Sequence, residues 1–405
     1  MLASIARLLV VLAVLLLFSA PAAADAAAPA AIQFTRFDSA TDFGGGAFNS
    51  TLPDGDRIVL APGALSGTWA APSVQPRSSF SRLVASWNAD TPAAGRVTVE
   101  AQVTTAAGDT SDWYTLGIWA DDDQRAQRTS VPGQADALGR VATDTLYARA
   151  DPFVSYSLRV RLQRASADDP SPGVHTLGAE TADYAYSAAQ PTSTPLSSDP
   201  VELGVPPLSQ EIHAHQYPQW GGGGEAWCSP TSTEMVVEFW GRGPNADDLA
   251  WVDPRYADPS VDFAARATYD AAYRGTGNWP FNAAYAARFG LDTFVTQLRS
   301  LAEAEQFVRA GIPVVTSIAS RPGELDGFLF SGGTNGHLVV VVGFDAAGNP
   351  IVNDPASLSD ATVRHAYDRA QFERVWLRGS GGTAYIIHPA SVALPPPPPD
   401  ATPNW

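Results

Sequence analysis

Trp227-Cys228-Ser229-Pro230-Thr231-Ser232 leads into Thr233-Glu234-Met235-Val236-Val237-Glu238-Phe239-Trp240-Gly241, and this stretch decides the reading of the chain. Met235, Val236, Phe239 and Trp240 recur at helical spacing, Pro230 falls near a first turn where proline is tolerated, and Gly241 stands where a helix is capped. Cys228 therefore sits at the mouth of a predicted helix. It is the only cysteine in the chain, so no intramolecular disulfide can form. Unpaired amides and the helix dipole favour an anion at such a position, which makes the thiol a candidate nucleophile. Taken alone, a single cysteine reads equally well as a small buried hydrophobe. The residues downstream separate the two readings.

His337 opens the run His337-Leu338-Val339-Val340-Val341-Val342-Gly343-Phe344, which turns at Asp345-Ala346-Ala347-Gly348-Asn349 and returns as Pro350-Ile351-Val352-Asn353-Asp354-Pro355. A hairpin centred near residues 346 and 347 places His337 opposite Asp354 or its neighbours, where facing Cβ atoms are about 5 Å apart. The spacing predicts an imidazole–carboxylate pair. A thiol hydrolase also needs donors for the oxyanion. Gln210, in Pro207-Leu208-Ser209-Gln210 of the same entry segment, is a candidate side-chain donor, and Gln216 and Gln219 are rival candidates. His213 and His215 with Glu225 make a weak zinc pattern that reads better as a solvated loop, and His365 and His388 read as structural. Trp279 reads as a core residue that could instead wall a cleft.

Around the cysteine, helical patterns recur at 261–273 and 282–289, and Ser300 with Glu303 forms a capping box for a helix to about Ala310. Strands follow at 312–318, 337–344, 350–353 and 383–388. Helix first, then antiparallel sheet, is the order of an α+β papain-like domain, assigned to 208–390. Upstream, period-two runs such as Arg96-Val97-Thr98-Val99-Glu100-Ala101-Gln102-Val103 predict an all-β sandwich or jelly roll over 32–186. Trp69, Trp87, Trp113 and Trp119 within it read as core, with an aromatic sugar-binding face as the alternative. Residues 187–207 are rich in Pro, Ser and Thr and read as a linker, and 391–405 read as a disordered Pro-rich tail. Arg7, the apolar run from Leu8 to Phe18 and Ala22-Ala23-Ala24 read as a signal peptide, 1–24, cleaved near Ala24. Export to the extracellular space is expected. The net charge of −17 argues against nucleic acid or an anionic membrane surface as partner, and no stable membrane insertion is expected.

At Val205-Pro206-Pro207-Leu208-Ser209-Gln210, Trp227-Cys228-Ser229-Pro230-Thr231-Ser232, Gly336-His337-Leu338-Val339-Val340 and Asn353-Asp354-Pro355 the sequence resembles a known group. These are the papain-like cysteine peptidases related to the bacteriocin-processing double-glycine peptidases, the thirty-ninth cysteine peptidase family, in its secreted actinobacterial branch. The resemblance spans about 205–389. It implies Cys228 as nucleophile, His337 as base, Asp354 as its orienting partner and Gln210 in the oxyanion hole. A peptide or protein substrate is expected, with no metal or organic cofactor, and a cell-wall or carbohydrate ligand stands open for the β domain. Rival readings are a thiol amidase acting on cell-wall peptides with the same residues, and a cell-surface binding protein whose peptidase-like domain is an inactive scaffold.

Overall fold

The computed structural model describes residues 31–183 and 185–405; the leader read at 1–24 lies outside the described residues. The N-terminal region is built from antiparallel strands in two sheets. One sheet runs in the order Thr51–Pro53, Ile58–Leu60, Gly173–Asp183, Arg82–Asp90, Thr145–Ala148 and Gly139–Ala142, and Ala31–Phe37 also pairs with Gly173–Asp183. The other runs Ala47–Asn49, Ser66–Ala70, Phe153–Gln163, Arg96–Thr105 and Tyr114–Trp119. Side chains from both sheets meet in one core around Trp69, Trp87 and Trp119, all fully buried. Trp113 is half-buried beneath the Arg159 guanidinium, so these four tryptophans present no exposed aromatic platform.

The C-terminal region carries a third antiparallel sheet, ordered Asp292–Gln297, Thr383–His388, Val314–Ser320, Thr334–Phe344, Pro350–Asn353 and Arg364–Ala366. Its central strand explains the unbroken apolar run after His337. Leu338, Val340 and Val342 pack into the core that holds Met235 and Val236 of the Cys228–Phe239 helix. Val339 and Val341 pack on the other face, against Phe307 of the Leu301–Arg309 helix and Phe372 and Trp376 of the Arg369–Ser380 helix. A strand covered on both sides needs apolar residues at every position, not at alternate ones.

Local chemistry sets the ends of the helices. The helix expected over 261–273 spans Pro259–Thr268. It stops short because the Asp270 carboxylate takes the N–H groups of Ala272 and Tyr273 into a turn. The helix expected at 282–289 spans Trp279–Ala287, with the Asn278 side chain accepting from the Phe281 N–H. Ser300 caps the next helix as read, but the Glu303 carboxylate closes on the Arg299 N–H at 2.8 Å, so the reciprocal half of the box is displaced by one residue.

The linker expectation for 187–207 gives way to a bound strap. The Ser193 N–H donates to Glu373 at 2.7 Å and the Leu196 N–H to Glu305 at 3.0 Å. Val201–Glu202 then extends the third sheet beside Phe344 and Gly343. Composition shows the prolines that favour an extended chain; it does not show the buried carboxylates waiting for its remaining N–H groups. The tail is likewise fastened. Asn404 is fully buried and donates to Gln297 O at 2.7 Å and Glu303 at 2.9 Å, and the Trp405 ring packs on Phe307.

The sandwich also shares its core with the C-terminal region. Phe281 sets its ring edge-on to Trp87 and Trp119, with centroids 6.1 and 5.6 Å away. The Asn88 amide and Thr293 hydroxyl are hydrogen-bonded at 2.8 Å, and the Val295 N–H reaches Ser86 Oγ at 3.2 Å. Arg36 grips Asp292 through both carboxylate oxygens, each at 2.7 Å.

Two buried carboxyls make stability depend on pH. Burial raises Glu180 to about 7 despite Arg82, and raises Glu234 to about 8 despite the Tyr285 hydroxyl donating to it at 2.6 Å. The unfolded chain ionises first, near its ordinary carboxylate value, so the contribution of these two groups to stability is fullest below that value and is lost as pH rises through the folded values. A loss on the order of a few kcal/mol between pH 5 and 8 is expected. The Glu180→Gln/Glu234→Gln double variant should flatten that decline in urea unfolding measured across pH; an equally steep decline would show that these groups are not its source.

Candidate active site

Cys228 is the first residue of the Cys228–Phe239 helix and is half-buried. Trp227 occupies the cap position without a side-chain cap bond. It is held by its own indole, whose Nε1–H donates to Trp220 O at 2.6 Å. The first amides of the helix consequently keep no side-chain partner from the cap. The helix is pinned to the sheet beside the cysteine, with Ser232 Oγ donating to Leu338 O at 3.0 Å and Ser229 Oγ bonded to the Tyr385 hydroxyl at 3.0 Å. A residue adjacent to His337 and a residue adjacent to Cys228 thus belong to one rigid unit.

His337 is 1 % exposed, and its Nε2 lies 2.7 Å from Asp354 Oδ1. The ladder that brings them together differs from the simple hairpin. Val340 pairs with Asn353 and a bulge intervenes between Val341 and Gly343, so Asp354 leaves the strand diagonal to His337. Side chains on the same face still meet on that diagonal. Asp354 is held on every side: Oδ2 accepts from the Tyr367 hydroxyl at 2.9 Å and Oδ1 from the Ala356 N–H at 3.0 Å. Nothing in the sequence marks Tyr367, because its role arises only where the chain returns past the end of the strand.

Cys228 and His337 line the same cleft, close enough for the thiol to act on the imidazole's proton affinity. Burial lowers the imidazole's proton affinity, but the Asp354 charge and hydrogen bond, with a smaller contribution from the nearby Cys228 thiol, outweigh it and raise His337 to about 10. Asp354 shows the complementary effect: burial raises it, the His337 charge and hydrogen bond outweigh that, and it lies below the usual carboxylate range. The pair therefore holds an imidazolium against a carboxylate. Phe330 and Phe328 stand edge-on to the ring, with centroids 5.0 and 5.9 Å away, and keep water from it.

Gln210 is 1 % exposed and lines the same cleft as Cys228 and His337. Its N–H donates to Pro355 O at 2.8 Å, so the turn that follows Asp354 also braces the glutamine. The Nε2 donates to Glu211 at 3.1 Å, and among the described residues Oε1 has no partner. Neither rival glutamine reaches the cleft. Gln216 is occupied by His213 and by Ile212 O, and Gln219 is exposed to solvent.

His213 is buried against Asp262 at 3.3 Å, whereas His215 pairs on the surface with Glu225 at 2.8 Å, so the two histidines do not converge. His365 bonds to Ser357 Oγ at 2.9 Å. His388 stands opposite Asp292 in the ladder, an acidic partner that sequence spacing could not reveal. Trp279, read as core, is half-buried and lines the cleft, because Pro280 and Phe281 take the inward positions of that helix. The cleft has a volume of about 670 Å³.

Comparison with solved structures gives, at 20 % identity and a TM-score of 0.31, a C39-like peptidase from Bacillus anthracis, the match covering 47 % of this chain and 97 % of that one. A glycosylation-associated protein complex from Streptococcus agalactiae matches at 12 % identity and a TM-score of 0.20, over 42 % of this chain and 46 % of that one. No curated protein matches. Among the described residues no helix is long and apolar enough to cross a membrane. Residues 33–182 match the Peptidase C39 N-terminal domain and residues 202–383, which hold Cys228, His337, Asp354 and Gln210, match the Peptidase_C39 like family, so the chain belongs to the C39-like peptidases and carries their N-terminal domain ahead of the peptidase domain.

Proposed function

We propose that the protein is an exported cysteine peptidase of papain-like design that hydrolyses peptide bonds through Cys228, His337 and Asp354, with Gln210 in the oxyanion hole. The observation that carries this reading is His337, buried and bonded to Asp354 in the same cleft as the Cys228 thiol, which stands at a helix N-terminus. The Cys228 sulfur attacks the peptide carbonyl carbon as thiolate. The resulting oxyanion takes hydrogen bonds from the Cys228 N–H and Gln210 Nε2. The His337 imidazolium gives its proton to the leaving amine as the C–N bond breaks, leaving a thioester. Water then adds to the thioester carbonyl, passing its proton to His337, and the thiolate leaves. Removal of the 1–24 leader on export is part of the same reading.

The Asp354 charge is what holds His337 high, so it also sets where activity fails on the alkaline side. In Asp354→Asn that charge is gone and His337 deprotonates at lower pH, so the basic limb of kcat/KM should move down by about one unit or more. The loss of rate at neutral pH should be smaller than in His337→Ala, because an amide still orients the ring. Coincident basic limbs in the parental and Asp354→Asn enzymes would remove Asp354 from the mechanism.

A further inference from the structure

Thr143 stands at the tip of the two-residue turn joining Gly139–Ala142 to Thr145–Ala148, where Ala142 pairs with Thr145. Its φ is 57°, in the left-handed region where a β-branched residue is strained. Strain of this kind persists only where surrounding structure imposes it, and it gathers at functional sites. The turn belongs to the N-terminal sandwich, yet Thr143, Asp144 and Tyr147 line the cleft that holds Cys228 and His337.

The hairpin is locked to the peptidase domain at that place. Asp144, 7 % exposed, accepts from the Trp279 N–H at 2.8 Å and from the Thr145 hydroxyl at 2.9 Å. Arg82, on the neighbouring sandwich strand, lies 5.3 Å over the Trp279 ring and donates to Ser380 O at 2.8 Å and Thr383 Oγ1 at 2.9 Å. Trp279 and Ser380 are themselves cleft residues. The tip is therefore held at a fixed offset from the thiol, while Thr143 and Tyr147 keep half-exposed side chains. A hairpin serving only to join two domains has no need of polar side chains held there.

We propose that Thr143 and Tyr147 of the N-terminal domain contact the peptide substrate, making this hairpin a specificity-determining wall of the cleft; the proposal rests on the peptidase reading above. The hydroxyl and phenol sort the substrate side chains nearest the scissile bond by size and hydrogen bonding.

Thr143→Gly keeps the turn conformation and removes the side chain, and Tyr147→Ala removes the phenol. Both are compared with the parental protein on a panel of fluorogenic peptides that differ only at the residues flanking the scissile bond. Expected is a change of tenfold or more in the kcat/KM ratio between panel members, carried by KM. The rate at which iodoacetamide labels Cys228 should stay within twofold. Folded variants with the parental ranking overturn the proposal. The same peptides are also titrated by fluorescence anisotropy onto Cys228→Ala alone and onto Cys228→Ala carrying each wall variant. An altered ranking there supports the wall and an unaltered one overturns it, even if no peptide is turned over. Labelling that ignores His337→Ala overturns the peptidase reading separately.

Discussion

Cys228→Ala should lower peptide turnover by at least about a thousandfold, to the level of a heat-killed control, while leaving the fold intact. The half-buried thiol begins a helix, alanine is a better helix former, and Ser229 and Ser232 still pin that helix to Tyr385 and Leu338. Far-UV circular dichroism and the unfolding midpoint should therefore match the parental protein. Cys228→Ser should fare little better, because a hydroxyl does not form the anion that a thiol does. Adding His337→Ala to Cys228→Ala should cost nothing further, since the two act as a unit. Parental turnover in Cys228→Ala would end the thiol mechanism.

Cutting the N-terminal domain away should have a comparable effect by a different route. A fragment beginning near Leu203 retains Gln210, Cys228, His337 and Asp354, and a Pro-rich linker between independent domains would leave it active. The shared core predicts the opposite. The fragment strips Phe281 of Trp87 and Trp119, leaves Thr293 and Val295 without Asn88 and Ser86, and removes the Asp144 carboxylate from the Trp279 N–H. Each large apolar side chain returned to water costs about 1.5–3 kcal/mol, against a total stability of about 5–15 kcal/mol for a typical domain. The isolated fragment should bind a hydrophobic dye, lack a cooperative melt and hydrolyse no peptide. Limited proteolysis of the whole protein should spare 187–207, where Ser193 and Leu196 are bound to Glu373 and Glu305. A fragment with a cooperative melt and turnover of a short fluorogenic peptide would restore the independent-domain reading.

Much of the peptidase domain was legible in the linear sequence. The strands at 350–353 and 383–388 fall where period and turn residues placed them, because their ends are set by Asn349, Asn353 and the flanking breaks in the chain. The helix after Cys228 was readable because its apolar spacing and Gly241, whose φ is 64°, are local properties. The strand at 292–297 and the helix at 369–380 escaped. The first borrows its burial from the sandwich, and the second is a mostly polar sequence whose apolar contacts come from Phe372, Val375, Trp376 and Leu377.

The sequence by itself determined the elements whose cause is local: the helix that presents Cys228 and the hairpin that returns Asp354 towards His337. Tertiary structure alone decided what crosses long stretches of chain. It set the diagonal register of the His337–Asp354 pair, the Tyr367 hydroxyl on the carboxylate, the burial of the 187–207 strap and the sandwich hairpin in the wall of the cleft. Propensity and periodicity are properties of neighbours along the chain. An acceptor such as Glu373 or a partner such as Trp279 exists for a distant residue only once the sheets have closed on one another.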